Sequence, residues 1–229
     1  ILMQLAPYGV FCLLAKIFYA TGFSLIAQLL LYFLTVMLAL IIHATIIYTS
    51  LLAFIAKLNP LVFLKRIRPV MMFGFATASS NATMPVTLEV AEEKLGVKNS
   101  VASFTIPLGA TINMDGTAIM QGVATVFIAQ AYQVDISLAG YLTVILTATL
   151  ASIGAAGVPG VGLITLALVL QQVGLPVEGI ALIVGVDRLL DMMRTAVNVT
   201  GDSAVSCLVA KSEGALDEEI FYGRTLEQK

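Results

Sequence analysis

Between residues 23 and 56 the chain runs for 34 residues without an Asp, Glu, Lys or Arg. A bilayer crossing needs about 20 apolar residues, and a helix longer than that tilts to fit. The rest of the chain agrees with a lipid solvent. It has 229 residues, 59% of them hydrophobic and 11% charged, where soluble domains carry about 25% charged residues. In water so apolar a chain would expose aggregating patches. The expected fold class is therefore an all-α integral membrane protein. The formal net charge of −2 gives no reason to expect a nucleic-acid partner. His43 is the only His in the chain. It reads as a neutral imidazole bonded to a neighbouring helix, with a proton relay as the alternative. Cys12 and Cys207 match no metal spacing.

Basic residues cluster at Lys57, Lys65, Arg66 and Arg68, at Lys94 and Lys98, and at Lys211. The loops around 131–140 and 171–179 have no Lys or Arg. The positive-inside rule puts the first set in the cytoplasm and the second outside. Residues 70–91 then begin and end inside, and residues 141–170 begin and end outside. Neither stretch is a single crossing, so each enters the membrane and turns back. The turns fall on Ser79-Ser80-Asn81 and on Gly157-Val158-Pro159-Gly160. Non-helical backbone at membrane depth survives only where protein buries it or where it lines a wet cavity. Two re-entrant hairpins from opposite sides, each followed by an interrupted helical segment (101–131 and 180–210), predict an inverted repeat. Such paired interruptions point to a binding site at the midplane.

Four polar stretches converge there: "ASSNAT" (78–83), "NMDGT" (113–117), "GAAGVPGVG" (154–162) and "DMMRTAVNVTGD" (191–202). Asp191, Thr195, Asn198 and Asp202 recur at spacings of three or four and share one helix face. A single charge at a membrane helix centre costs roughly 3 kcal/mol on insertion scales. Asp187, Arg188, Asp191, Arg194 and Asp202 together are a heavy load. Structural ion pairing offsets part of it and leaves Asp115, in another broken helix, unexplained.

These motifs, in this order, resemble the glutamate/aspartate transporter family, the dicarboxylate/amino acid:cation symporters that include the excitatory amino-acid transporters. The resemblance runs over essentially the whole chain and matches the part from the fifth helix to the end; the start at Ile1, inside an apolar stretch, reads as a fragment. It implies three parts. Residues 1–56 hold the end of one membrane helix and a following long one. Residues 57–210 form a transport core: first hairpin 70–91, broken helix 101–131, second hairpin 141–170 and last helix 180–210. Residues 211–229 form a cytoplasmic tail. It also implies a homotrimer built on a scaffold mostly missing from this chain, in a bacterial cytoplasmic (inner) membrane, and no enzymatic activity.

The implied function is secondary active symport of L-aspartate or L-glutamate with Na⁺, gated by the hairpins in an elevator-like cycle. H⁺ coupling, and carriage of another dicarboxylate or of cystine, are the alternatives. By the resemblance Arg194 would clamp the substrate's side-chain carboxylate, its planar fork suiting bidentate pairing. Asp191 would take the α-amino group. Asn198, Thr195 and Ser80, with Ser79 beside it, would bond the α-carboxylate and nearby backbone, and Thr117 would line the side-chain end. Backbone at Ala78, Val158 and Gly162 would complete the cup. One cation would meet carbonyls of Gly109, Asn113 and Asn198 and the Asp202 carboxylate. A second would meet carbonyls of Thr111, Ser152, Ile153 and Ala155. A third would use Asp115 and the Asn113 side chain, with remaining ligands from a helix absent here. Met114 would lie between the first two sites and the substrate. The carbonyls expected around Asp202 donate no hydrogen bond, so a cation is expected to balance it. Family members carry an extra Arg either before the hairpin serines or after the residue matching Asp191. Here those positions are Ala78 and Met192, and Arg188 is the candidate replacement.

Overall fold

The computed structural model describes residues 24–224 and, before them, positions 11, 12, 15 and 19. The expected end of a preceding helix, 1–20, falls almost wholly outside the described residues. Among those described, regular structure is helical apart from one isolated bridge, Val97 with Leu216.

The first helix, α1, begins at Ser24–Ile42 and continues through two π-helical stretches, His43–Tyr48 and Leu51–Ile55. Its apolar window, Ile26–Ile55, is 30 residues long with a mean hydropathy of 2.4, enough to cross a bilayer with tilt. Leu30, Leu31, Leu34, Leu38 and Phe54 face outward, as a lipid-facing stripe requires.

The next helices are α2 (Pro60–Arg66), α3 (Arg68–Thr77) and α4 (Ser80–Glu93). Asn59 caps α2 by accepting from the Leu61 N–H at 2.9 Å, and Pro60 sits in the first turn. The arms α3 and α4 have 10 and 14 residues, about 15 and 21 Å at about 1.5 Å per residue. Each is shorter than a hydrocarbon core of about 30 Å. They pack on one another. The turn lies at Ala78-Ser79, slightly earlier than expected. Ala78 adopts left-handed backbone (φ 50°, ψ 36°). The Ser79 hydroxyl accepts from the Ala82 N–H at 3.2 Å, so Ser80 and Asn81 already belong to the first turn of α4.

Helices α5 (Asn99–Ile112) and α6 (Asp115–Ala131) are one helix broken at Asn113-Met114. A second pair follows, α7 (Leu138–Ser152) and α8 (Val161–Gln172), of 15 and 12 residues, again too short for separate full crossings. Leu138, Leu142, Ile145, Leu146 and Leu150 expose one side of α7. The tip between them, 153–160, includes left-handed Gly154 and Gly160 (φ 80° and 79°), a conformation that costs glycine little.

The last long helix, α9 (Ile180–Ser212), runs 33 residues unbroken. An interruption was expected here and the structure has none. No proline lies inside it. Thr200 and Ser203 donate to the carbonyls of Ala196 and Val199 at 2.7 and 2.8 Å, which satisfies these hydroxyls without breaking the ladder. α9 packs against α1, α3, α4, α5, α6 and α8. Its approach to α3 passes over Gly74, where a Cβ would meet Val199 Cγ2 at 3.1 Å. Small residues permit this closeness between membrane helices. After α9 the chain folds back. Asp217 N–H donates to the Gly96 carbonyl at 2.7 Å, and Lys98 N–H to that of Ala215 at 3.0 Å. A short α10 (Glu218–Tyr222) then buries Phe221 completely.

Candidate functional site

The polar face of α9 is turned inward over its whole length. Asp187, Asp191, Arg194, Thr195, Asn198 and Asp202 are all buried. Asn198 and Asp202 meet the break in α5–α6, and Asp191 meets the tip of the second helix pair.

Arg194 is the largest fully buried side chain, 1% exposed. Its Nη2 donates to Asp191 Oδ1 at 2.8 Å and lies 3.3 Å from Asp187 Oδ1. Its Nε and Nη1 have no partner among the described residues. A guanidinium carries five donors in a fixed fork, and an unmet buried donor costs about 1–3 kcal/mol. The guanidinium therefore keeps unmet donors for an acceptor such as a carboxylate. Nη1 faces Gly162, where a Cβ would stand 2.8 Å from it. That missing side chain is what lets α8 approach the guanidinium. Asp191 uses its other oxygen, Oδ2, to accept from the Gly160 N–H at 2.9 Å, so one carboxylate holds both Arg194 and the second tip.

The two tips also touch each other. Ser79 Oγ donates to the Gly157 carbonyl at 2.7 Å, and the Asn81 N–H donates to the same oxygen at 3.1 Å. Ser80 is buried beside them and Val158 is 45% exposed. Thr195 faces the α3 arm, its methyl carbon 3.6 Å from where a Gly74 Cβ would lie.

Asn198 fastens the break in α5–α6. Its Oδ1 accepts from the Gly116 N–H at 2.8 Å. Its Nδ2 lies 3.5 Å from both Met114 Sδ and Thr117 Oγ1. Met114 and Thr117 thus both meet Asn198.

The three expected cation sets fare differently. Gly109, Asn113, Asn198 and Asp202 are brought together. Asp202 sits against Gly109, where a Cβ would be 2.6 Å from Oδ1. Asn113 Nδ2 donates to Asp202 Oδ1 at 3.0 Å and reaches the Asn198 carbonyl at 3.4 Å. The expectation that Asp202 meets no hydrogen-bond donor is therefore corrected: the Asn113 side-chain amide supplies one. The set remains rich in oxygen, the donor chemistry a small hard cation takes. In the second set, the Thr111 carbonyl accepts from the Gly154 N–H at 2.7 Å and that of Ser152 from the Ala155 N–H at 3.2 Å. Thr111, Ser152, Ile153 and Ala155 are thereby neighbours. In the third set, the Asn113 side chain turns to Asp202, and the partners of Asp115 come from α1. His43 Nε2 and the Tyr48 hydroxyl each lie 3.0 Å from Asp115 Oδ2.

Sequence reasoning missed Tyr48, and it did not link His43 to Asp115. The two are five apart, and π-helical bonding repeats every five residues, so both point the same way with rings 4.8 Å apart. Nothing in the apolar run marks a π-helix. It also missed Gln121, a buried amide in α6, whose Nε2 donates to Thr165 Oγ1 at 2.6 Å and the Gly162 carbonyl at 3.3 Å. Arg188, the candidate replacement cation, is exposed and makes no ion pair among the described residues. The cation in contact with the acidic face is Arg194.

An all-α membrane fold with two short helix pairs meeting over a buried Arg–Asp face defines a transporter-like class. The chain belongs to the sodium:dicarboxylate symporter family, whose model matches residues 1–212; this is a family of carriers and not of enzymes. It is 47% identical over 203 residues to an excitatory amino acid transporter of Caenorhabditis elegans, covering 88% of this chain and 40% of that protein. It is 46% identical over 204 residues to excitatory amino acid transporter 2 of Homo sapiens, covering 88% and 36%. With human excitatory amino acid transporter 1 it shares 43% identity over 205 residues, covering 89% and 38%. The chain thus spans about two fifths of the length of these curated relatives.

Proposed function

We propose that the full-length protein is a secondary active symporter of acidic amino acids, L-aspartate or L-glutamate, driven by Na⁺. The observation that carries this reading is Arg194: a fully buried guanidinium with two unpartnered nitrogens, beside Asp191 and against Gly162 just past the second tip. A substrate with a side-chain carboxylate satisfies the guanidinium, and its ammonium pairs with Asp191. Small neutral amino acids leave the buried fork unmet, which is costly. A plain dicarboxylate leaves Asp191 without its cation. Ser79, Ser80, Ala78, Val158, Gly162, Thr117, Thr195 and Asn198 form the wall around this pair.

Charge balance supports cation coupling. Asp115, Asp187, Asp191 and Asp202 share the region with the single guanidinium of Arg194. An acidic substrate adds further negative charge, and uncompensated charge at low dielectric is expensive. Na⁺ at the Asp202 set and at the Thr111–Ala155 carbonyls would offset it. H⁺ would do so too, by protonating carboxylates, and is the rival coupling ion.

In this reading residues 57–210 move as the transport core and the pairs α3–α4 and α7–α8 are re-entrant hairpins. Release of Gly157 and Gly160 from their partners opens the second one. Residues preceding α1 would build the homotrimer scaffold. The relatives named above are animal proteins, which favours a eukaryotic membrane over the bacterial inner membrane expected from sequence.

The test is uptake of labelled aspartate by the full-length protein in proteoliposomes, under Na⁺ and H⁺ gradients imposed separately. Accumulation above the bath concentration under the Na⁺ gradient alone is the expected result. Accumulation only under the H⁺ gradient would establish the rival, and equilibration without accumulation would indicate a channel.

A further inference from the structure

A cavity of about 440 Å³ opens where α2, the start of α3, the end of α4 and the C-terminal segment meet. Lys65, Arg66, Arg68, Lys94 and Tyr222 line it, and no carboxylate is among its lining residues. Among the described residues none of these four cations is in an ion pair. Arg66 is fixed in place: its Nη1 donates to the Lys94 carbonyl at 3.1 Å, and its Nη2 packs against Gly223. Lys65, Arg68 and Lys94 are exposed. Four like charges around one cavity repel one another, and an anion placed among them relieves that repulsion. The guanidinium fork and the compact ammonium are both good partners for phosphate oxygens.

The surroundings select the source of that phosphate. Leu61 lies one turn before Lys65 on α2, and Met72 one turn after Arg68 on α3, each on the same face as its cation. Both are exposed, at 76% and 72%. A soluble ion gains nothing from such a border, whereas a phospholipid needs a cationic seat next to an apolar track. Basic pockets at the cytoplasmic surface suit anionic headgroups, and the positive-inside rule puts these residues on that side.

We propose that the cavity lined by Lys65, Arg66, Arg68 and Lys94 is a binding site for the headgroup of an anionic phospholipid. Its acyl chains would lie along Leu61 and Met72. The site joins the base of the first helix pair to the C-terminal segment through Tyr222, so a bound lipid ties these elements together. It uses none of the substrate- or cation-site residues of the transport reading and stands whether or not that reading does.

The test uses the full-length protein in phosphatidylcholine nanodiscs, with phosphatidic acid as the probe and native mass spectrometry to read retained lipid. Lys65→Gln with Arg68→Gln should weaken retention roughly tenfold or more, as losing charge-assisted bonds implies. Arg66 is left intact because it holds the Lys94 loop. A charge-matched control, Lys57→Gln with Lys98→Gln, lies outside the cavity and should retain lipid as the parent does. The thermal midpoint in phosphatidylcholine alone should be the same for all three proteins, and phosphatidic acid should raise it only where the cavity is intact. Equal loss in the control, or unchanged retention in the cavity variant, would overturn the site. Inorganic phosphate raising the midpoint as much as phosphatidic acid would overturn its assignment to lipid.

Discussion

The Ser79 hydroxyl donates to the Gly157 carbonyl at 2.7 Å and thereby joins the tip of one helix pair to the tip of the other. The Asn81 N–H takes the same oxygen at 3.1 Å. One acceptor on the second tip thus serves two donors on the first. The contact depends on glycine: a Cβ at 157 would stand 2.7 Å from Asn81 Oδ1 and 3.1 Å from Asn81 N.

Gly157→Ala should therefore push the tips apart. Each lost bond is worth about 1 kcal/mol, so loss of one or both should lower apparent aspartate affinity by roughly fivefold to thirtyfold. A cysteine at Val158, in a background lacking Cys12 and Cys207, should react faster with a polar thiol reagent when Ala occupies 157. Unchanged labelling and unchanged affinity would eliminate tip separation as the gate.

Arg194→Cys removes the buried fork. A lost bond to a charged group is worth about 1.5–3 kcal/mol, so aspartate binding should weaken by roughly tenfold to a hundredfold or more. Serine should gain relative to aspartate. The check is competition of both against labelled substrate in full-length protein, and a preserved aspartate-to-serine ratio would remove Arg194 from the role.

Asp191→Ser separates amine from acid recognition. Aspartate carries an ammonium and succinate does not, so aspartate should lose far more. The substitution also frees the Gly160 N–H, now bonded to Asp191 Oδ2 at 2.9 Å, and that loss falls on both ligands alike. The difference between the two titrations isolates the ammonium; no difference would contradict the assignment.

Tyr48→Phe deletes one of the two partners of Asp115 while keeping the ring against His43. Leaving a partly buried carboxylate oxygen with one partner fewer should cost about 1–3 kcal/mol. Thermal unfolding of the full-length variant should show a lower midpoint than the parent. An unchanged midpoint would mean that the hydroxyl adds nothing to the fold.

Asp202→Asn keeps the shape and removes the charge. If Na⁺ binds there, aspartate affinity should lose much of its Na⁺ dependence, and by linkage aspartate should no longer raise Na⁺ affinity by the parental factor. Titrating aspartate at several Na⁺ concentrations and two pH values reads both. A parental affinity flat in Na⁺ and steep in pH would favour proton coupling.

Much of this arrangement was legible in one dimension because membranes penalise unpaired polar groups so heavily. The uncharged run 23–56, the basic loops and the four polar stretches located α1, both short helix pairs and the inward face of α9. The break at Asn113-Met114 was marked by polar residues inside an apolar segment. A similar signal at 191–202 misled, because polar side chains on a helix face do not by themselves break it. There Thr200 and Ser203 bond back to their own helix.

The residue chemistry of α9 by itself determined that Asp191, Arg194, Asn198 and Asp202 share a buried face, since helical spacing alone aligns them. Which group answers which was decided only by tertiary contact. His43 and Tyr48 reach Asp115 across 72 and 67 positions, Asn113 reaches Asp202 across 89, and the Ser79 hydroxyl reaches Gly157 across 78. Such pairs leave no periodic trace. They depend on the relative depth and rotation of separate helices, where Gly74, Gly109 and Gly162 leave room for the side chains of Val199, Asp202 and Arg194.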